Sequence, residues 1–143
     1  MLRVNIKKLH QNAVIPTYAK PGDAGMDLIA ISKQYDEFDN VVYGTGIAIE
    51  IPENYVGLIY PRSSICKKDL YLTNHVGVID SGYRGEIMFK FKTTKKMYPI
   101  NIYEIGDRIG QIVIMPYPQI AFMEVEDLTD TERGEGGFGS SGN

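Results

Sequence analysis

The chain has 143 residues, of which 43% are hydrophobic and 23% are charged, so it is long enough for one globular domain with a buried core. Its formal net charge of −3 argues against nucleic acid as a partner, because domains that bind phosphate backbones are usually basic. No apolar run reaches the roughly 18 residues of a membrane span, and a lone cysteine, Cys66, excludes an internal disulfide and favours a cytoplasmic protein.

Short apolar segments recur along the chain with the period of two that is typical of strands. In chain order, the candidate strands are LRVNI, MDLIAI, GIAIEI, YVGLIY, GVI, EIMFKFK, PINIY, RIGQIVIM and AFMEVE. Gly and Pro lie between them, which predicts an all-β barrel or sandwich. RIGQIVIM is nearly continuous in apolar residues, so we expect a strand covered on both faces. One short helix is predicted after Pro61, through SSICKKD.

The last eleven residues, RGEGGFGSSGN, form a segment of different composition. Glycine loses more backbone entropy on ordering than any other residue, so we expect this segment to be loose. The predicted organisation is therefore one domain over residues 1–132 and a flexible arm over 133–143. Arg133 and Phe138 within the arm either belong to a disordered end or have a function.

The stretch PRSS precedes the predicted helix. Ser63 or Ser64 can cap that helix, whose first N–H groups could bind an anion. Arg62 beside them can bind phosphate oxygens through its forked guanidinium group. The alternative is an ordinary helix cap beside a surface arginine.

The stretch GVIDSGYRGE places a carboxylate, Asp80, between a strand and a turn, close to Tyr83. A carboxylate at the mouth of such a hairpin can act as a general base on a water molecule. The alternative is an Asx-turn in which Asp80 only accepts hydrogen bonds from backbone amides. Arg84 and Glu86 are interpreted as surface charges.

Two further stretches contain polar residues at strand positions. In PGDAGMDL, Asp27 enters a strand and could hold hydrated Mg²⁺, which prefers carboxylate and phosphate oxygens; turn chemistry is the alternative for the glycines. In GDRIGQ, Gln111 lies in an apolar strand. A buried amide needs hydrogen-bond partners, so Gln111 is either a structural residue or a ligand contact.

Taken together and in this order, PGDAGMDL, PRSS, GVIDSGYRGE, GDRIGQ and RGEGGFGSSG resemble the five motifs of the trimeric dUTP pyrophosphatase (dUTPase) family. The resemblance covers nearly the whole chain. Two departures are small: Ser141 stands where the family usually has Thr, and Gly110 stands where Ala is common.

The resemblance implies a jelly-roll-like distorted β-barrel with one short helix and a mobile C-terminal arm. It also implies a homotrimer with active sites shared between subunits. The expected reaction is Mg²⁺-dependent hydrolysis of dUTP to dUMP and pyrophosphate, by in-line attack of water at the α-phosphate, which keeps uracil out of DNA.

The resemblance also implies a role for individual residues. Asp80, Asp27 and Gln111 are the expected catalytic residues: Asp80 activates the water, and Asp27 holds Mg²⁺ through a water while the triphosphate supplies most of its ligands. The expected substrate-binding residues are Arg62, Ser63, Ser64, Asn74, Gly77, Val78, Ile79, Tyr83, Met88, Arg133, Phe138, Gly139 and Ser140. Backbone groups of the 74–83 hairpin are expected to select the base.

Two other functions remain open from the residues. A dCTP deaminase is similar in fold and shares parts of the motifs, but its resemblance would not extend to the GGFGSSG tail. A non-enzymatic β-barrel binding module is the more distant alternative. Release of pyrophosphate or of ammonia from the substrate distinguishes the three.

Overall fold

The computed structural model describes residues 1–139, which consist almost entirely of antiparallel strands. The strands are β1 (Asn5–Lys8), β2 (Met26–Ile29), β3 (Ser32–Tyr35), β4 (Val41–Gly44), β5 (Ile47–Glu50), β6 (Tyr55–Tyr60), β7 (Leu70–Leu72), β8 (Gly77–Ile79), β9 (Met88–Thr93) and β10 (Arg108–Pro116). A single 3-10 helix among these residues, Ser63–Lys67, follows β6. The prediction of an all-β protein with one short helix is confirmed.

The strands form two four-stranded sheets, in the orders β2-β10-β6-β8 and β3-β4-β9-β7, and a two-stranded sheet, β1-β5. All three sheets contribute to one apolar core, whose fully buried members include Leu28, Val41, Tyr43, Ile47, Phe89, Phe91 and Ile112. Because the core lies between the sheets, the architecture is a sandwich of packed sheets, which is the arrangement found in jelly-roll folds.

The clearest period-two segment, β9, behaves as predicted. Phe89 and Phe91 are completely buried, whereas Met88 and Lys90, which alternate with them, are exposed. The two phenylalanine rings stack with their centroids 6.0 Å apart, and the Tyr43 ring packs edge-on against Phe91 at 5.8 Å. Alternation along one strand therefore supplies the centre of the core.

Two predicted strands are absent from the described residues. PINIY begins at Pro99 and runs as irregular chain, with the Asn101 backbone N–H bonded to Asp69 Oδ2 at 2.8 Å. AFMEVE has no partner strand among residues 1–139, and its Phe122 is 95% exposed. Both predictions were wrong because a strand requires a neighbour with which to pair, and periodicity alone does not supply one.

Three observed strands were not predicted. β3, with the sequence SKQY, is a polar edge strand that contains no run of apolar residues. β4, with the sequence VVYG, is buried along its whole length, so it lacks the alternation of a half-buried strand. β7 has only three residues, too few for a period to be recognised.

The predicted helix cap is also wrong. The cap position is Arg62, which has an extended backbone, and no side chain makes a capping hydrogen bond. Neither Ser63 nor Ser64 therefore caps the helix, because both already lie within it.

β10 is less enclosed than its composition suggests. Ile109 and Ile112 are buried on one face, but Gln111 and Val113 are only half-buried on the other. The expectation of a strand covered on both faces is wrong because the outer face borders a cavity.

The segment 74–83 is not a hairpin. β7 pairs with β9, whereas β8 pairs with β6 of the other sheet. The chain therefore crosses from one sheet to the other between β7 and β8, and Asp80 lies at the end of an edge strand rather than at a hairpin mouth.

Gly110 is required by its contacts. A Cβ atom at this position would overlap the Phe89 ring and lie 2.9 Å from the Tyr60 carbonyl oxygen. We expect Gly110→Ala to lower the free energy of unfolding by roughly 1–3 kcal/mol, the usual cost of overpacking. In a Phe89→Leu background, where the ring is gone, the same substitution should cost much less. Urea denaturation of the four proteins measures this coupling.

Gly82→Ala is the matched control, because a Cβ atom at Gly82 meets nothing within 4 Å. An equal loss of stability from Gly110→Ala with and without Phe89 would contradict this explanation.

Candidate active site

Three polar side chains form a row across the β2-β10-β6 part of one sheet. The register pairs Gln111 with Asp27 on one side and with Tyr60 on the other. Directly paired residues in antiparallel strands project from the same face. The row therefore brings together two predicted catalytic residues, Asp27 and Gln111, from segments far apart in sequence.

The Gln111 side chain is held by close neighbours. Its Nε2 donates a hydrogen bond to the Pro61 carbonyl oxygen at 3.2 Å. A Cβ atom at Gly25 would lie 2.5 Å from Gln111 Oε1, so Gly25 leaves the space that the amide occupies. Gly25, the second glycine of PGDAGMDL, thus has a steric role as well as a turn-forming one.

Asp27 lies between two guanidinium groups. Arg62 Nε donates to Asp27 Oδ1 at 2.7 Å, and Arg108 Nη1 lies 3.5 Å from Asp27 Oδ2. Arg62 Nη1 also lies 3.4 Å from Ser64 Oγ. These contacts orient Arg62 from one side only, so part of its guanidinium group remains available to a ligand.

These side chains border a cavity of about 430 Å³, which we call the polar cavity. Its lining residues are Ala19, Asp23, Ala24, Gly25, Asp27, Tyr60, Arg62, Ser63, Arg108, Gln111 and Val113. The charges of its two arginines and two aspartates cancel. A polyanion bound here therefore needs cations from elsewhere.

Among residues 1–139, no group of three or more His, Cys, Asp or Glu side chains could hold a metal ion. Two carboxylates, Asp23 and Asp27, nevertheless line the polar cavity. Asp23 Oδ2 accepts a hydrogen bond from the Lys20 backbone N–H at 2.9 Å, as the turn interpretation predicts. Of the predicted site residues that line this cavity, only Asp27 has a carboxylate, so a metal ion held there would need further ligands from a substrate.

A second cavity, of about 330 Å³, lies at the other edge of the same sheet; we call it the edge cavity. Its lining residues are Ile59, Thr73, Asn74, Gly77, Val78, Ile79, Tyr83, Glu86, Met88 and Lys90. Six of the predicted substrate-binding residues are thus brought together. The volume is at the lower end of the range for small-molecule sites.

β8 forms the wall of the edge cavity and the edge of its sheet. It pairs with β6 on one side only, so backbone groups on its other side are not used by the ladder. A Cβ atom at Gly77 would overlap the Ile59 side chain. Gly77 therefore permits close packing beneath a strand whose free edge faces the cavity.

Asp80 and Tyr83 form the turn after β8. The Tyr83 N–H donates to the Asp80 carbonyl oxygen at 3.1 Å, and the Tyr83 hydroxyl donates to the Glu86 carbonyl oxygen at 2.9 Å. The Asp80 carboxylate is exposed and makes no hydrogen bond to any residue of 1–139. The backbone turn is present, but the Asx-turn is not.

A polar network supports the floor of the edge cavity. The Thr73 hydroxyl donates to Asn40 Oδ1 at 3.0 Å, and Asn40 Nδ2 donates to the Asp36 carboxylate at 3.0 Å. Lys90 Nζ donates to Asp36 Oδ2 at 3.1 Å. The hydrogen bond from the Asn40 side chain, the largest cause, holds the pKa of Asp36 well below its ordinary value. The network therefore fixes Thr73, next to Asn74.

The described residues of the predicted arm, 133–139, line neither cavity. Arg133 Nε donates to the Gly136 carbonyl oxygen at 2.9 Å, and the Phe138 side chain is fully exposed. Phe138 has φ of 50°, and Gly139 follows with φ of 83°. Ser140 lies outside the described residues.

Sequence reasoning missed several residues at the two cavities. Arg108 lies in GDRIGQ but was not predicted. The strand register is irregular between Arg108 and Gly110, so simple alternation does not give the direction of the Arg108 side chain. Tyr60, Thr73 and Lys90 were missed because they belong to no motif. Glu86, interpreted as a surface charge, instead accepts a hydrogen bond from the Gly46 N–H at 2.7 Å.

The described residues thus form an all-β antiparallel sandwich with one polar cavity, lined by two arginines and two aspartates, and a second cavity at the free edge of β8. The family model described as dUTPase matches residues 11–142. The chain belongs to the dUTPase family.

Curated relatives agree with this assignment. A deoxyuridine 5'-triphosphate nucleotidohydrolase from Thermobifida fusca is 41% identical over 143 residues, covering 99% of this chain and 79% of the relative. One from Hydrogenobaculum is 39% identical and covers 99% of both chains.

Solved structures agree as well. Staphylococcus bacteriophage 80alpha dUTPase with dUpNHpp is 30% identical, covers 100% of both chains and has a TM-score of 0.84. A second structure is that of a mutant dUTPase from phage phi11 of S. aureus, which shows the coordination of a structural Mg(II) ion. It is 26% identical, covers 88% of this chain and 98% of that chain, and has a TM-score of 0.74. The predicted family and the jelly-roll-like fold are confirmed, and the two alternative functions find no support in these matches.

The steric role of Gly25 generates a test. We expect Gly25→Ala to lower kcat/KM for dUTP roughly tenfold to hundredfold, because a small displacement of a positioned group can cost that much. In a Gln111→Ala background, the same substitution should have little further effect. Steady-state kinetics of the four proteins measures the coupling, and an equal loss in both backgrounds would show that Gly25 does not act through Gln111.

Proposed function

We propose that this dUTPase hydrolyses dUTP to dUMP and pyrophosphate by in-line attack, at the α-phosphate, of a water molecule that Asp80 activates. Membership of the family supports the reaction. The observation that supports the role of Asp80 is its exposed carboxylate, which has no hydrogen-bond partner in residues 1–139 and follows the strand that lines the edge cavity. Such a carboxylate is free to accept a proton from water.

We assign the uracil and deoxyribose to the edge cavity. The free backbone edge of β8 offers N–H and C=O groups, which cannot exchange their positions as the ends of an Asn74 amide can. Backbone groups therefore discriminate uracil from cytosine, and Met88 supplies apolar contact. The Tyr83 ring packs against the sugar and leaves no room for a 2′-hydroxyl.

The triphosphate belongs to the polar cavity, with Arg62, Ser63, Ser64 and Gln111 as its ligands. Because the charges lining this cavity cancel, the phosphates require further cations. A bound Mg²⁺ would supply that charge, with Asp27 as the residue that would hold it through a water and with the phosphate oxygens as its main ligands. Arg62 exchanges its partly exposed ion pair with Asp27 for phosphate oxygens, at modest cost.

The arm over residues 133–143 acts as a lid. Phe138 is fully exposed without substrate, and stacking its ring on uracil would contribute ~1–3 kcal/mol. Ordering the backbone costs ~1–2 kcal/mol per residue, so contacts of Arg133, Gly139 and Ser140 with the triphosphate must supply the remainder. Closure therefore depends on the phosphates as well as on the base.

A homotrimer with shared active sites completes the proposal. The polar cavity and the edge cavity have no lining residue in common, and none of residues 133–139 lines either of them. The segment that precedes the arm exposes Ile120, Phe122, Met123 and Leu128. Such apolar exposure favours burial against another copy of the chain.

We also place the enzyme in the cytoplasm, since Cys66 is an exposed free thiol, as a reducing compartment allows. Among the described residues, no helix is long and apolar enough to cross a membrane.

The assignment of Asp80 is tested by Asp80→Asn, which keeps the size and removes the basicity. We expect kcat to fall by a factor on the order of 10²–10⁴, the usual contribution of a general base, with substrate binding largely intact. Pyrophosphate release is measured with dUTP and Mg²⁺, and ammonia release is measured separately with dCTP and Mg²⁺, because the uracil base has no amino group to lose. Asp39→Asn makes the same chemical change at an exposed turn position with φ of 59° and should keep full activity. Turnover by Asp80→Asn equal to that of the wild type would remove Asp80 from the mechanism.

The shared-site proposal is tested by mixing two inactive variants. One chain carries Asp80→Asn, and the other ends after Glu132 and lacks the arm. Mixed trimers should recover activity, because some sites then combine an intact Asp80 with an intact arm from another chain. Each variant refolded alone is the control. A fully active monomer in sedimentation experiments, or no recovery in confirmed mixed trimers, would contradict the proposal.

A further inference from the structure

The turn that carries Asp80 is held by the Arg84 side chain. Arg84 Nη1 donates to the Ser81 carbonyl oxygen at 2.6 Å and to the Tyr83 carbonyl oxygen at 3.1 Å. These bonds add to the backbone bond from the Tyr83 N–H to the Asp80 carbonyl oxygen. One guanidinium nitrogen therefore fixes two peptide groups within three residues of the proposed general base.

The other side of the guanidinium group is anchored on the β1-β5 sheet. Arg84 Nη2 donates to Glu50 Oε1 at 3.3 Å, and Asn5 Nδ2 donates to Glu50 Oε2 at 2.6 Å. Asn5 and Glu50 are also direct partners in the strand register. The hydrogen bond from Asn5, the largest cause, and the charge of Arg84 lower the pKa of Glu50. The turn is thus tied to a second sheet through an ionised carboxylate.

Arg84 contributes to neither proposed substrate site, since it lines neither the polar cavity nor the edge cavity. It lines a third cavity, of about 360 Å³, together with Asn5 and Glu50. Two of its nitrogens are already bonded to oxygens of its own chain. Its position therefore favours an action through the turn that it holds, rather than through contact with the substrate.

The ion pair between Arg84 and Glu50 contributes little to stability. The two side chains are 53% and 49% exposed, and solvent weakens such pairs. Placement of a reacting group is far more sensitive, because a displacement of about 1 Å can cost on the order of 100-fold in rate. The effect of this network should therefore be visible in the rate of the reaction and not in the stability of the fold.

We propose that Arg84, anchored by Glu50, is a positioning residue for Asp80: its guanidinium group fixes the turn so that the Asp80 carboxylate meets the attacking water. This inference rests on the proposed function of Asp80 as the general base. It gives a role to a half-exposed residue that would otherwise pass for a surface charge, and to Glu50 and Asn5, which lie outside the five motifs.

Arg84→Met is the direct test, because it removes the forked donor and keeps an unbranched aliphatic side chain. We expect kcat for dUTP to fall roughly tenfold, while affinity for a non-hydrolysable dUTP analogue with Mg²⁺ changes by less than about twofold. Lys95→Met is the matched control, because it breaks another exposed ion pair, with Asp69, outside both substrate cavities. It should keep full activity, and both variants should have urea midpoints close to that of the wild type.

Two further variants separate geometry from charge. Arg84→Lys keeps the positive charge, but a single ammonium group does not reproduce the planar fork that bonds the turn and Glu50 together. It should recover only part of the lost kcat. Glu50→Gln removes the charge of the anchor and should lower kcat less than Arg84→Met does. In an Arg84→Met background, Glu50→Gln should have no further effect.

A double-mutant cycle with Asp80 separates positioning from general structure. In an Asp80→Asn background, Arg84→Met should have no further effect on kcat, because the base that Arg84 positions is absent. A purely structural role would instead lower kcat by the same factor in both backgrounds.

The outcomes are distinguishable. If Asp80→Asn is costly but Arg84→Met is neutral, equally costly in both backgrounds or fully rescued by Arg84→Lys, the inference fails and the proposed function stands. A loss of analogue affinity without a loss of kcat would make Arg84 a substrate contact and would also overturn the inference. If Asp80→Asn turns over dUTP as fast as the wild type, the role of Asp80 fails and the inference fails with it.

Discussion

The register of β10 with its two neighbours is the constraint on which the polar cavity depends. A slip of one residue would turn every side chain of β10 to the opposite face and separate Gln111 from Asp27 and Tyr60. Ile109 and Ile112, buried on the inner face, prevent such a slip because it would expose them. Burial of apolar side chains on one face thus fixes polar geometry on the other.

Electrostatic balance is the second condition for the site. Asp27 keeps Arg62 and Arg108 close together without substrate, although their positive charges repel one another. Because these side chains are partly exposed, solvent weakens the ion pairs, and ligand exchange needs little reorganisation. Under the proposed function, the triphosphate takes Arg62 from Asp27, and the empty cavity carries no excess of positive charge.

The sequence pattern predicted those strands whose burial is visible in their own residues, and it failed where a strand depends on its neighbours in the fold. Alternation predicted β5 and β9, and the nearly continuous apolar run RIGQIVIM predicted β10. Alternation failed for β4, which is buried throughout, and for AFMEVE, which has the pattern without a partner.

The motif resemblance predicted six of the ten residues that line the edge cavity and four of the eleven that line the polar cavity. It could not predict that the cavities are separate, because that depends on β7 and β8 pairing in different sheets. The environment of Tyr103 could not be predicted either, because only the packed structure shows that its hydroxyl is buried and has no hydrogen-bond partner among the described residues.

The free edge of β8 has a consequence for the evolution of this enzyme. If the base is read by backbone groups, no point substitution at the exposed Val78 side chain can rewrite the hydrogen-bonding pattern that uracil meets. Substitutions at Val78 can therefore accumulate without changing the substrate, because the fold determines which base is bound. Substitutions at Gly77 cannot, because a side chain there would overlap Ile59. An altered preference for the base would have to arise through insertions, deletions or changes in strand pairing, which are rarer events than single substitutions.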